Sequence, residues 1–162
     1  MKMKKLLIIR SVSFQQLDTN IVKIIEKFCD YEIHILTHEH GRVLAEKYRG
    51  IEKIWIYPYK SAFSFKSTCV DITGMTFDAV VIPVTNIGAS GFQNVFMFAL
   101  TIKSIKYYVC NLVSEIDEIS KTRIIIHSFL KAIVMLFSCL LSILFVVVAL
   151  PWLMIRLSKK TP

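Results

Sequence analysis

Between residues 4 and 111, short and nearly continuous apolar runs alternate with stretches of helical period. LLII at 6–9, YEIHIL at 31–36, IEKIWIY at 51–57, FDAVVIPVT at 77–85 and KYYVC at 106–110 have the length and composition of strands covered on both faces. Between the first two, Leu17, Ile21, Ile24, Ile25 and Phe28 recur on one face of an amphipathic helix. HEHGRVLAEKY at 38–48 predicts a second, shorter helix, and GFQNVFMFALTI at 91–102 a third. KSAFSFKSTCVDITGMT at 60–76 has no clear period and reads as a loop with one helical turn. The order βαβαβ, then βαβ, predicts an α/β fold: a Rossmann-like parallel sheet of order 3-2-1-4-5 with helices on both faces. After it, Leu112, Ile116 and Ile119 share a helical face, so 112–131 is expected to be an amphipathic connecting helix.

The pattern then changes. Residues 132–155 carry no charge over 24 positions, about 36 Å as a helix at about 1.5 Å per residue. The hydrocarbon core is about 30 Å thick, so one helix spans it with some tilt. Buried helices of soluble proteins rarely stay apolar on every face for this length. This run accounts for the high hydrophobic share of 54% and the mean hydropathy of +0.55 in a chain of 162 residues. The expected organisation is therefore a domain at 1–111, a connecting helix at 112–131, a transmembrane helix at 132–155 and a basic tail at 156–162.

Charge follows the same division. Six of the 20 Lys and Arg residues and none of the 12 Asp and Glu residues lie beyond residue 120. Lys121, Arg123 and Lys131 precede the apolar run, and Arg156, Lys159 and Lys160 follow it, as residues meeting anionic headgroups do. Lys131, Pro151, Trp152, Arg156, Lys159 and Lys160 are the expected membrane anchors. With the excess cations at the membrane end, the pI of 9.4 points to a lipid bilayer as partner and not to nucleic acid. Cys29, Cys69, Cys110 and Cys139 have no CxxC spacing and read as free thiols of a reducing compartment. After the basic start, the apolar stretch at 6–9 is too short for a signal peptide, which leaves the domain expected on the cytoplasmic side.

KKLLIIRSVS, YEIHILTHEHGRVLAEKY, IEKIWIYP and FDAVVIPVTN stand in the order and approximate spacing of the N-terminal domain of bacterial heptosyltransferases, the lipopolysaccharide glycosyltransferases of GT-B fold. Over residues 4–111 the chain resembles that domain. The resemblance implies an acceptor-side half of a two-domain enzyme, truncated where the second, donor-binding domain would begin and continued there by a membrane helix. It implies a lipid-linked sugar acceptor, a glycosyltransferase partner chain for the donor, and a single-pass place in a bacterial-type inner membrane. The family's Gly-Asp pair, whose carboxylate deprotonates the acceptor, falls on Gln15 and Gln16. An amide is no base at neutral pH, so Asp18 is the remaining catalytic candidate, against its simpler role beside a helix N-terminus.

In such a sheet the ligand crevice lies between the first and fourth strands, where successive helices take opposite faces. Ser11, Ser13, Gln16, Thr85, Asn86, Ser90 and Asn94 are expected around it. NIGASGFQNV forms no GxGxxG or P-loop; its simpler reading is a turn made by Gly88 and Gly91 with Ser90 as a helix cap. His38 and His40 stand two apart, a metal-binding spacing in an extended segment; without a third ligand they read as the start of a helix capped by Thr37. Neither a metal nor another cofactor is called for. Tyr57, Tyr59, Phe63 and Phe65 form either an apolar lip or part of the core, and His127 reads as interfacial. The missing glycosyltransferase base leaves a non-enzymatic membrane adaptor as the alternative function.

One spanning helix after a cytoplasmic domain puts the tail on the far side of the membrane, although three cations flank each end of the run and charge bias alone selects no orientation. Cysteine placed by Ser158→Cys is expected to react with a membrane-impermeant thiol reagent in intact cells; reaction only after permeabilisation would put the tail inside.

Overall fold

A computed structural model describes residues 3–67 and 69–158. The chain runs β1 (Lys4–Ile9), α1 (Phe14–Lys27), β2 (Tyr31–His38), a 3-10 turn (Glu39–Gly41), α2 (Arg42–Ala45), β3 (Lys53–Tyr57), α3 (Val70–Thr73), β4 (Thr76–Pro83), α4 (Gln93–Ala99), β5 (Lys103–Cys110) and β6 (Ile116–Ile119). Then come α5 (Lys121–Leu144), a π-helical turn (Phe145–Ala149) and α6 (Leu150–Ser158). Two compact units result, Met1–Ile124 and Ile125–Pro162.

The first unit is a six-stranded sheet of order β3-β2-β1-β4-β5-β6. All neighbours are parallel except β5 and β6. The continuous apolar run of β1 has a direct cause: its alternate side chains enter different cores. Leu7 and Ile9 pack with Phe77, Phe98 and Tyr107 on one face, whereas Leu6 and Ile8 pack with Leu17, Ile21 and Ile24 of α1 on the other. Burying each such side chain contributes about 1.5–3 kcal/mol. Since α1 covers one face and α4 the other, the connections diverge between β1 and β4, which opens a crevice at their carboxyl ends.

The sheet has one strand more than the predicted order 3-2-1-4-5, and the extra strand comes from the segment expected to be helical. Asn111 Oδ1 accepts hydrogen bonds from the backbone N–H groups of Val113 (3.0 Å) and Glu115 (2.9 Å), and Ser114 takes a positive φ of 62°. The chain reverses there, and Asn111 N–H donates to Glu115 O at 3.0 Å. Ile116–Ile119 then pairs with the open edge of β5, with Lys106 and Glu118 2.9 Å apart. Satisfying an otherwise unpaired strand edge outweighs the helical spacing of Leu112, Ile116 and Ile119. The α/β unit thus extends through the first turn of α5, where Ile124 is buried in the core. Thr37 is likewise no helix cap but a buried residue of β2, and the helix expected at 38–48 shortens to a 3-10 turn and α2.

The described residues of the second unit, 125–158, form one continuous helical segment. Lys121–Met154 is long and apolar enough to cross a membrane, with a mean hydropathy of 3.1 in its most apolar window, none of it buried. Helical structure starts before 132, since Lys121–Lys131 is already helix. Ser142 donates back to Ser138 O at 2.9 Å, which satisfies its hydroxyl within the helix. The π-helical turn directly precedes α6 and Pro151; a proline ring crowds the carbonyl four residues earlier and lacks an N–H to bond it, which shifts the ladder locally. The Arg156 guanidinium lies 5.1 Å from the Trp152 ring. The anchors Lys159 and Lys160 lie outside the described residues. Cys29, Cys69, Cys110 and Cys139 are free thiols.

Among the polar side chains buried in the first unit is an imidazole. His34 receives the Trp55 indole N–H at Nδ1 (3.0 Å) and lies 2.7 Å from Glu32 Oε1 through Nε2. Burial holds its pKa below the ordinary 6.5, against the opposing pull of Glu32. The unfolded chain therefore binds a proton that the folded chain refuses, so stability is full above pH 6.5 and falls as the pH drops from there toward the folded pKa. Chemical denaturation of the full chain in micelles from above pH 6.5 down to about pH 5 is expected to show that loss, and His34→Gln to flatten it; an unchanged slope in the variant would remove His34 as its source.

Candidate functional site

The crevice between β1 and β4 opens into a cleft of about 480 Å³ at the carboxyl ends of the strands. Its walls come from the turn after β1 (Arg10, Ser11, Val12, Ser13), the end of β2 and the 3-10 turn (His38, His40), the loop after β3 (Lys60, Ala62, Phe63) and the start of α4 (Gly91, Phe92, Asn94, Val95). Among the described residues, the ionisable groups of this lining are Arg10, His38, His40 and Lys60, and no carboxylate is among them. A second hollow, of about 510 Å³, lies along β3, where Glu46 and Glu52 accompany Arg42 and Lys53. The 3.1 Å Arg42–Glu46 pair illustrates how its charges cancel, so the first cleft is the one with a net field.

Arg10 is the first residue after β1, and every part of its head is held. Its backbone N–H donates to Leu36 O at 2.9 Å, and in the head Nε donates to Thr37 Oγ1 at 2.7 Å and Nη1 to Val12 O at 3.1 Å. Nη2 lies 3.4 Å from His40 Nε2, and the guanidinium covers the Phe14 ring at 4.8 Å. Among the described residues no carboxylate pairs with it. Burial lowers its pKa from the usual value, although a guanidinium stays charged at any physiological pH.

His38 stands beside it with its tautomer set: Nε2 donates to Ser61 O at 3.1 Å, which leaves Nδ1 unprotonated, and that buried nitrogen has no partner. Its ring lies 5.5 Å from His40, 5.1 Å from Tyr57 and 4.8 Å from Phe63. Burial pushes its pKa down, and Arg10 adds to that; the ring is neutral at pH 7. Among the described residues no cluster of three metal-ligating side chains forms.

Of the residues expected around the crevice, Ser11, Ser13 and Asn94 line it. Ser11 Oγ donates to Pro83 O at 2.5 Å, joining the ends of β1 and β4. Ser13 caps α1 by accepting from Gln16 N–H at 3.3 Å, and Asn94 Nδ2 donates to Phe63 O at 3.1 Å. Gln16 turns elsewhere, donating to Asn20 Oδ1 (2.9 Å) and Leu112 O (3.2 Å). Asn86 is occupied in shaping its own loop: Oδ1 accepts from Ser90 N–H and Nδ2 donates to Ser90 O, at 2.9 and 2.8 Å. Ser90 is therefore part of this clamp and not the cap of α4, whose N-cap is Phe92. Thr85 is exposed and, like Asn86 and Ser90, is outside the cleft lining.

Asp18 is outside it too. It accepts the Tyr48 hydroxyl at 2.5 Å on the outer side of α1, and burial, then that hydrogen bond, raises the Tyr48 pKa. The four aromatic residues considered as a lip divide: Tyr57 and Phe63 are core, whereas Tyr59 and Phe65 are exposed. Arg10 and Lys60 had no motif to mark them, and His40 was weighed only as half of a metal pair; their shared signal is position, each lying just beyond the carboxyl end of a strand. The chain matches no protein-family model, no curated protein and no solved structure.

Gly41 holds this arrangement in place by having no side chain. A Cβ there would overlap Thr37 Oγ1 and come within 3.1 Å of the Phe14 ring, the two groups that position the Arg10 head. Gly41→Ala is expected to lower stability by about 1–3 kcal/mol, as overpacking does, whereas Gly88→Ala, with nothing within 4 Å, is expected within about 0.5 kcal/mol of the parent. Urea denaturation of both variants checks this; equal midpoints would show that the contact yields freely.

Proposed function

We propose that the α/β unit binds a phosphate-bearing ligand in the cleft at the carboxyl ends of β1, β2 and β4, and presents it to a second chain without supplying a general base itself. The observation that supports this reading is the lining: Arg10 and Lys60 are cations there, His38 and His40 stand beside them, and among its described residues no carboxylate opposes them. Desolvated and prearranged N–H donors are the features that recognise phosphate oxygens. No base is at hand among its described residues: Gln16, at the family's Asp position, is an amide bound elsewhere, and the remaining candidate, Asp18, is engaged by Tyr48 outside the cleft.

The resemblance to heptosyltransferase N-terminal domains narrows the ligand to a lipid-linked sugar acceptor of envelope glycan or lipopolysaccharide assembly. The partner is then a chain that carries the donor site, since a GT-B active site is an interface between domains. On this reading the long apolar helix fixes the domain to the inner membrane from the cytoplasmic side. A non-enzymatic adaptor is the second reading, favoured by the engaged Asp18.

Calorimetric titration of the full chain in micelles with inorganic pyrophosphate tests the cleft. Binding is expected, weakened about tenfold or more by Arg10→Gln, as loss of a charge-assisted hydrogen bond implies, and unchanged by Asp18→Asn. Absence of binding, or binding indifferent to Arg10→Gln in a folded variant, would reject the ligand reading and leave the adaptor.

A further inference from the structure

We propose that the carboxyl edge of the sheet is a bilayer-docking face, so that the cleft opens onto anionic lipid headgroups. The exposed apolar side chains of the α/β unit are unevenly placed. Tyr59 and Phe65 follow β3, Ile87 follows β4, and Leu112 and Val113 follow β5, exposed by 41, 54, 73, 45 and 59%. All of them lie beyond strand ends at the carboxyl edge. Away from that edge the other strongly exposed large apolar side chains are scattered singly: Met3 precedes β1, Val22 is on α1, Val43 and Leu44 are on α2, and Ile105 is within β5.

Two further observations select a lipid surface as the occupant. The first is charge: Lys60 and Lys66 sit among these apolar residues, Lys66 Nζ 5.9 Å from the Phe65 ring, and Arg10 and His40 lie just inside the cleft. Apolar tips interleaved with cations match an anionic headgroup layer, whose surface potential attracts each nearby lysine and whose acyl boundary accepts the apolar groups. The second is connectivity. Ile124, the last residue of the unit, is fixed at this same edge, where its carbonyl accepts from Gln93 Nε2 at the start of α4, 3.4 Å away. The residues that follow belong to the segment long and apolar enough to span a bilayer, so the membrane lies within reach with no linker to cross.

The inference concerns the face and stands whether or not the cleft takes a phosphate-bearing ligand. The test uses the full chain with Cys29→Ser and Cys139→Ser, reconstituted into vesicles of phosphatidylglycerol and phosphatidylethanolamine. An environment-sensitive fluorophore is attached after Phe65→Cys, Ile87→Cys or Val22→Cys, the last on the outer face of α1. Lipids brominated near the headgroup are expected to quench the label at 65 and 87 by about twofold or more and to leave the label at 22 nearly unquenched, because only an interfacial group comes within bromine contact. Lys60→Glu with Lys66→Glu is expected to lower the ratio of docked to undocked chain at least about fivefold for each cation removed. Equal quenching at all three positions overturns the proposal, as does quenching at 65 and 87 that is just as strong in purely zwitterionic vesicles. Self-quenching at 65 and 87 that vanishes on dilution, without lipid quenching, gives the face to a second copy of the chain and also overturns it.

Discussion

The site depends on one half-buried cation that has no counter-ion among the described residues. Arg10 leaves β1 at the point where the connections of the sheet diverge, and four neighbours fix its head: Thr37 Oγ1, the Val12 carbonyl, the Phe14 ring and the edge of His40. Partial burial of a charge costs free energy unless something offsets it. Here neutral acceptors and a π face offset it incompletely, as its lowered pKa indicates. The surroundings are built around that arrangement. Gly41 leaves room for Thr37 and Phe14, and β2 must end in register with β1 for Leu36 to accept the Arg10 N–H.

An unpaired guanidinium in an open cleft is poorly explained by stability alone and well explained by an anionic ligand. Lys60 acts in the same sense, and the neutral His38 keeps a bare Nδ1 inside the wall. The chemistry thus favours holding a charged group over activating a hydroxyl with a carboxylate. The same edge carries the exposed apolar residues, and the chain leaves the α/β unit there. On the proposed reading, ligand capture and membrane contact share one surface, the arrangement that presenting a lipid-linked molecule would need.

Strands buried on both faces were readable because nothing but a two-sided core explains LLII or AVVIP, and the amphipathic period of α1 left no other assignment. The long apolar run was equally plain, although its helix begins earlier and carries a π turn before Pro151. What escaped was decided by tertiary pairing. The segment IDEI has a helical spacing in isolation, and only the free edge of β5 makes it a strand. Topology alone brings Ser11, Ser13 and Asn94 to the cleft lining, whereas Gln16, Asn86 and Ser90 have local partners that spacing cannot reveal. Arg10 was hidden for a related reason: a lone arginine after a strand is common, and its missing carboxylate becomes visible only once its neighbours are placed.

The central claim is that the Arg10 head contacts an anionic ligand. In the full chain, labelled with nitrogen-15 and held in micelles, the Arg10 Nε–H is tethered to Thr37 and is expected to give a resolved, slowly exchanging resonance. Titration with pyrophosphate is predicted to shift that resonance before those of the surface residues Arg42 and Arg49, and Arg10→Lys to remove the response. An Arg10 signal that stays fixed while Arg42 or Arg49 moves would contradict the account.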